Sequence, residues 1–162
     1  MPAKILKRKL NNARRVAVLG IGSELRGDDI VGLLAAQQIE KTIAKQTISP
    51  QVRVFIGETA PENLTGEIKK FQPTHLIIID AAELNKEPGH IEIMEPETIG
   101  GTSFCTHSLP LAVIIGYLLE SFKFQAIIIG IQPKTLTFGA QPTKKVVAAA
   151  KHLAETISKL LK

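Results

Sequence analysis

A chain of 162 residues, 44% of them hydrophobic, is long enough for one domain with its own core and too apolar for a disordered segment. Its single cysteine, Cys105, excludes an internal disulfide and a paired-cysteine zinc site, and makes a reducing, cytoplasmic setting the expectation. The net charge of +5 is not spread in the manner of a nucleic-acid-binding surface. Six of the 20 basic residues (Lys4, Lys7, Arg8, Lys9, Arg14 and Arg15) fall in the first 15 positions with no acid, which leaves the rest nearly balanced against 15 acidic residues.

Residues 1–15 therefore read as a basic, solvated and mobile arm, and residues 16–162 as the domain. The arm has neither the apolar run nor the cleavage site of a signal peptide. The run 16–20, Val-Ala-Val-Leu-Gly, is apolar throughout, as are 76–79 and 126–129. Strands without polar alternation belong to a parallel sheet covered on both faces. Residues 52–56, interrupted by Arg53, suit an edge strand. Residues 91–94, after the turn signal Pro88-Gly89, suit a short antiparallel addition.

Between these runs lie helices. Ile30, Leu33, Ala36, Ile39 and Ile43 recur at helical spacing after Asp28. Pro61 opens a second helix reaching about Lys70, at a position where its missing N–H is harmless. Ser108 can cap a third over 109–122, apolar nearly all round and so expected to be buried. The longest apolar stretch, 109–119, falls short of the roughly 18 residues that a membrane span needs. Val146, Ala149, Ala150, Leu153, Ile157, Leu160 and Leu161 form the stripe of a last helix, with Lys145, Lys151 and Lys159 for its other face. The order predicts one three-layer α/β/α domain, doubly wound around a twisted, mainly parallel sheet.

Ligands of such sheets bind beyond the carboxyl ends of the strands. Asp28 and Asp29 follow the first strand, Asp80 ends the run 76–79, and His107 stands before the third helix. If the first and third strands are neighbours, two carboxylates and an imidazole could converge on one cation. Either Asp28 or Asp29 could instead cap a helix, but both cannot cap the same one. Asp80 could cap the turn through Ala81-Ala82, although a charge ending a buried strand is costly if unpaired. Gly20-x-Gly22 opens a dinucleotide fingerprint, but Leu25 takes its third glycine place and two acids would repel the pyrophosphate. A Cys105–His107 nucleophilic pair lacks a group to orient the imidazole. There is no Gly-x-Ser-x-Gly elbow. His75, His90 and His152 read as incidental.

The motifs Gly20-Ile21-Gly22-Ser23 through Gly27-Asp28-Asp29, Ala60-Pro61-Glu62-Asn63, Ile79-Asp80-Ala81, Thr106-His107-Ser108-Leu109-Pro110 and Gly130-Ile131-Gln132-Pro133 resemble, in order, those of the hydrogenase maturation proteases, most closely the HycI type. The resemblance implies an endopeptidase that removes a C-terminal extension from a nickel–iron hydrogenase large-subunit precursor after nickel insertion. Asp29, Asp80 and His107 would then bind nickel, either carried by the substrate or held at the site, and serve the cut. Oxygen and imidazole donors suit that ion, and three ligands leave positions open for the substrate. Ser23 stands where the family commonly has Asn, and Cys105 where the HycI type has Thr. Gln132, placed on the same rim, is expected to line the substrate groove. The expected partner is the precursor alone, with the enzyme monomeric and without nucleic acid or membrane. The rival readings are a nickel-dependent chaperone that inspects the precursor without cutting it, and a nucleotide-binding enzyme.

Overall fold

The computed structural model describes residues 3–105 and 110–162, so Thr106, His107, Ser108 and Leu109 lie outside the described residues. The elements run α1 (Ala3–Lys9), β1 (Arg15–Ile21), α2 (Val31–Ile43), β2 (Gln51–Glu58), α3 (Thr65–Phe71), β3 (His75–Glu83), β4 (Ile91–Met94), β5 (Ser103–Phe104), α4 (Leu111–Ser121), β6 (Gln125–Ile131) and α5 (Lys144–Leu160). The main sheet has the order β2-β1-β3-β6-β4, with β4 antiparallel to β6 and the other pairs parallel; β5 pairs with β3. The expected edge strand and antiparallel addition are thus β2 and β4.

Alternation along the strands divides the core between two layers. Val16, Val18, Ile77, Ile79, Ile127 and Ile129 face α2, α5 and α1. Ala17, Leu19, Leu76, Ile78 and Ile128 meet Ile68 of α3 and the apolar face of α4. Both faces of the central strands are therefore dry, which explains their unbroken aliphatic runs.

Three expectations change. The basic arm is largely a helix: Leu6 and Leu10, four residues apart, share one face and bury it in the core beside α5. Lys9 is buried along its stem, and its ammonium reaches Glu95 Oε1 at 2.6 Å. Cationic density disguised an amphipathic pattern. The helix α4 is not apolar-buried all round: Leu111, Ile114, Ile115 and Leu118 are inside, while Val113, Tyr117 and Leu119 are exposed. Tyr117 is partly covered by Lys69, whose Nζ stands 3.7 Å above its ring. Finally, Asp80 does not end β3 but sits within it, opposite Gly130 of β6.

Candidate active site

The sheet order reverses between β1 and β3, so a crevice opens at their carboxyl ends. The chain after β1 is drawn tightly over that crevice, and glycines permit it. A Cβ on Gly32 would run into the carbonyl oxygens of Ile21 and Ile79, and one on Gly22 into that of Asp29. With no Cβ at either place, the short 3-10 turn Gly27–Ile30 and the start of α2 rest directly on the ends of β1 and β3. Gly22, which belongs to the incomplete dinucleotide fingerprint, together with Gly32 brings Asp28 and Asp29 down onto the strand ends.

The two acids then do different things, and the helix start has no side-chain cap. Asp28 is fully buried and accepts hydrogen bonds from the backbone N–H groups of Lys134 (2.8 Å), Thr135 (3.1 Å) and Thr143 (2.5 Å), and from Thr143 Oγ1 (2.8 Å). Burial opposes its ionisation, but the bonds from Thr143, Lys134 and Thr135 outweigh that and hold its carboxyl below the usual value. It fastens the β6–α5 loop. Asp29, equally buried, is approached by Arg26 Nη1 at 3.5 Å from its Oδ2.

Arg26 links this loop to the third strand. The same Nη1 donates to the Cys105 carbonyl at 3.1 Å, and the Cys105 N–H donates to Ala81 O, next to Asp80. Asp80 is fully buried and, by strand alternation, belongs to the face of Leu76 and Ile78, the side of α4. Asp29, Arg26 and Asp80 all lie near enough to Cys105 to act on its thiol; the position of His107 lies outside the described residues. Among the described residues no three His, Cys, Asp or Glu side chains form a metal-holding group.

The Cys105 thiol is pushed up to about 12, first by burial and then by the charges of Asp80, Asp29 and Glu83, against which Arg26 acts. It stays protonated at neutral pH and is no nucleophile. Alkylation by iodoacetamide is accordingly expected to be very slow at pH 7.5 and to accelerate only in strong alkali; rapid labelling at neutral pH, followed by mass spectrometry, would contradict this environment.

Gln132 departs from its expected role. It is buried, its Oε1 accepts from the N–H groups of Leu84 (2.7 Å) and Lys86 (3.3 Å), and its Nε2 donates to Glu83 Oε2 and to Pro133 O (both 3.1 Å). The amide ties the β3–β4 connection to the end of β6 and does not line a groove. His75 is buried against Thr74, and burial lowers its imidazole; His90 pairs loosely with Glu92, and His152 is exposed. Arg26 and Glu83 were not singled out in the sequence. An arginine three residues before Asp29 is the only local signal for the first.

A doubly wound domain with two buried carboxylates at its topological switch point has a candidate site where such folds bind their ligands. The family model for HycI, hydrogenase maturation protease, matches residues 33–160. The chain is 33% identical over 134 residues to the hydrogenase 3 maturation protease of Escherichia coli K12, covering 80% of this chain and 82% of that one. Its structure is similar to the crystal structure of the [NiFe] hydrogenase maturation protease HycI from Thermococcus kodakarensis, with a TM-score of 0.87 and 29% identity over 97% of this chain and 98% of that one. The solution structure of the endopeptidase HycI from Escherichia coli superposes with a TM-score of 0.76 and 30% identity over 90% of each. The chain belongs to the hydrogenase maturation protease family, and it is a hydrolase of the endopeptidase kind. Its family acts on hydrogenase precursors, which displaces the nucleotide-binding reading.

No helix among the described residues is long and apolar enough to cross a membrane.

Proposed function

We propose that this endopeptidase trims the C-terminal extension of a nickel–iron hydrogenase large-subunit precursor and uses Asp29, Asp80 and His107 to bind the nickel that the precursor carries. The observation that supports the reading best is the run of contacts Asp29–Arg26–Cys105–Ala81, which holds the β1–α2 loop against the strand that carries Asp80. Both acids are buried, and Asp80 shares its sheet face with α4, the helix that follows His107 in the chain. Carboxylate oxygens and an imidazole nitrogen suit a divalent nickel ion and leave positions for the precursor's own ligands. Substrate nickel near the scissile bond supplies positive charge for the developing oxyanion, and Asp29 or Asp80 can take the proton of the attacking water. Arg26, 3.5 Å from Asp29 Oδ2, orients that carboxylate meanwhile. Before nickel insertion the site has no ion to recognise, so cleavage waits for the metal. The enzyme works as a monomer in the cytoplasm, where a lone thiol such as Cys105 persists.

The test is incubation with nickel-loaded and nickel-free large-subunit precursor, followed by intact-mass spectrometry. Loss of a C-terminal peptide from the loaded form alone is the expected result. A precursor bound in a nickel-dependent way but left intact would favour an inspecting chaperone, and neither binding nor cleavage would overturn the reading.

A further inference from the structure

Two of the most exposed large apolar side chains among the described residues stand beside the catalytic loop. Phe138 is 75% exposed and Leu25 is 61% exposed. They belong to different segments, the β6–α5 loop and the β1–α2 loop, and the N–H of Gly139 donates to the Leu25 carbonyl at 2.8 Å, which brings the two backbones side by side. Single exposed apolar residues are ordinary on a protein surface. A pair brought together from two loops, and held there by bonds, is a built feature.

The holding is thorough. Asp28 binds the β6–α5 loop at Lys134, Thr135 and Thr143, and its own N–H donates to Thr135 O at 2.8 Å. Thr135 Oγ1 accepts from the Thr137 N–H, and the Ala140 N–H donates to Thr137 O, which shapes the tip around Phe138. A loop fastened this firmly could have carried polar side chains at its tip at no loss to the fold. The residue that fastens it is the immediate neighbour of Asp29. One peptide bond therefore fixes the position of the Phe138 tip relative to a proposed catalytic carboxylate. Leu25 is four residues from Asp29, so their Cα atoms are at most about 14 Å apart, the reach of roughly four residues of extended chain.

From this we propose that Leu25 and Phe138 form an apolar docking ledge for the precursor polypeptide, receiving apolar side chains a few residues from the bond presented to Asp29 and Asp80. The proposal rests on the reading of the site given above. The occupant is the precursor because the ledge is continuous with the site. Both segments that carry the ledge are bonded to the turn that bears Asp28 and Asp29, Leu25 through its own chain and the Phe138 loop through Asp28. Beside Leu25 lies a cavity of about 310 Å³ lined by Ser23, Glu24, Leu33 and Glu58. Apolar contact here adds affinity without touching the chemistry, so its loss is felt in KM.

The experiment compares wild type with Leu25→Ser, Phe138→Ser and the double variant, using the nickel-loaded large-subunit precursor as probe in both steady-state cleavage and equilibrium binding. Thermal unfolding is measured in parallel, and the exposed positions should leave it unchanged. Phe138→Ser is expected to raise KM about tenfold and the pair about fiftyfold, with kcat moving less than about threefold and Kd following KM. Unchanged KM and Kd in the double variant, with cleavage intact, would overturn the ledge and leave the endopeptidase reading standing. A wild type that binds without cutting, with binding lost in the double variant, would uphold the ledge and remove the proposed cut. Precursor that neither binds nor is cleaved would overturn both. Concentration-dependent dimerisation of wild type that the double variant abolishes would assign the ledge to a second copy of this chain and overturn the proposal.

Discussion

Replacing Asp80 by Asn is expected to lower cleavage of nickel-loaded precursor about a thousandfold while leaving the fold intact. The argument is that Asn keeps the shape of the side chain and removes its charge. Asp80 is fully buried within β3, between strands with wholly aliphatic faces, so the amide replaces a group that is costly to bury when ionised. In the role proposed for Asp80, loss of one carboxylate weakens both the grip on the ion and the choice of proton acceptor, each an effect of about 10²-fold or more. A second readout follows from Cys105. The charge of Asp80 is second only to burial in raising that thiol, so Asp80→Asn should move the pH dependence of alkylation downward from about 12. Cleavage within tenfold of wild type would remove Asp80 from the machinery. An unmoved thiol titration would show that the two side chains are not neighbours.

Asp28→Ala should be the most destabilising single change at the rim, although the residue takes no part in the proposed cut. It strips the acceptor from three backbone N–H groups and one hydroxyl at once. Charge-assisted bonds of this kind are each worth about 1.5–3 kcal/mol, and allowing for water to reach some of the freed groups, a total near 4 kcal/mol is reasonable. For a domain of this size that corresponds to a melting temperature lowered by roughly 10 °C. The effect carries a pH signature. The folded-state carboxyl is held below its unfolded value, so its contribution is fully present above the unfolded value of 3.8 and is lost as pH falls through the folded one. Thermal melts of wild type and Asp28→Ala should therefore differ most at neutral pH and draw together below about pH 4. A constant gap across that range would mean that the carboxylate charge is not what holds the loop.

Much of this fold could be read from the chain because buried parallel strands leave a one-dimensional mark. The runs 16–20, 76–79 and 126–129 need no partner to be recognised, and each is the middle of an observed strand. Asp80 drew attention because an acid directly after an apolar run is anomalous, whereas Asp29 was singled out over Asp28 by the family resemblance and not by any local pattern. The failures share a different cause. Gln132, Asp28 and Arg26 act through contacts of 48, 106 and 79 residues' separation, and nothing local distinguishes an amide that binds two loops from one that faces a groove. Leu6 and Leu10 were obscured by the cations around them; Lys9 itself is buried, its ammonium placed on Glu95.

The packing of α1 against α5 also constrains when the molecule can become itself. Leu6 and Leu10 from the start of the chain share one apolar layer with Leu153, Ile157 and Leu161 from near its end, and the N–H of Ser49 bonds to the carbonyl of Leu161. During synthesis the opposite layer, built from α3, α4 and the middle strands, can assemble while the ribosome is still at work. The layer that holds both helices cannot close until residue 161 has emerged. Until then α1 lacks its partner helix, and the part of that apolar face which α2 leaves open stays uncovered.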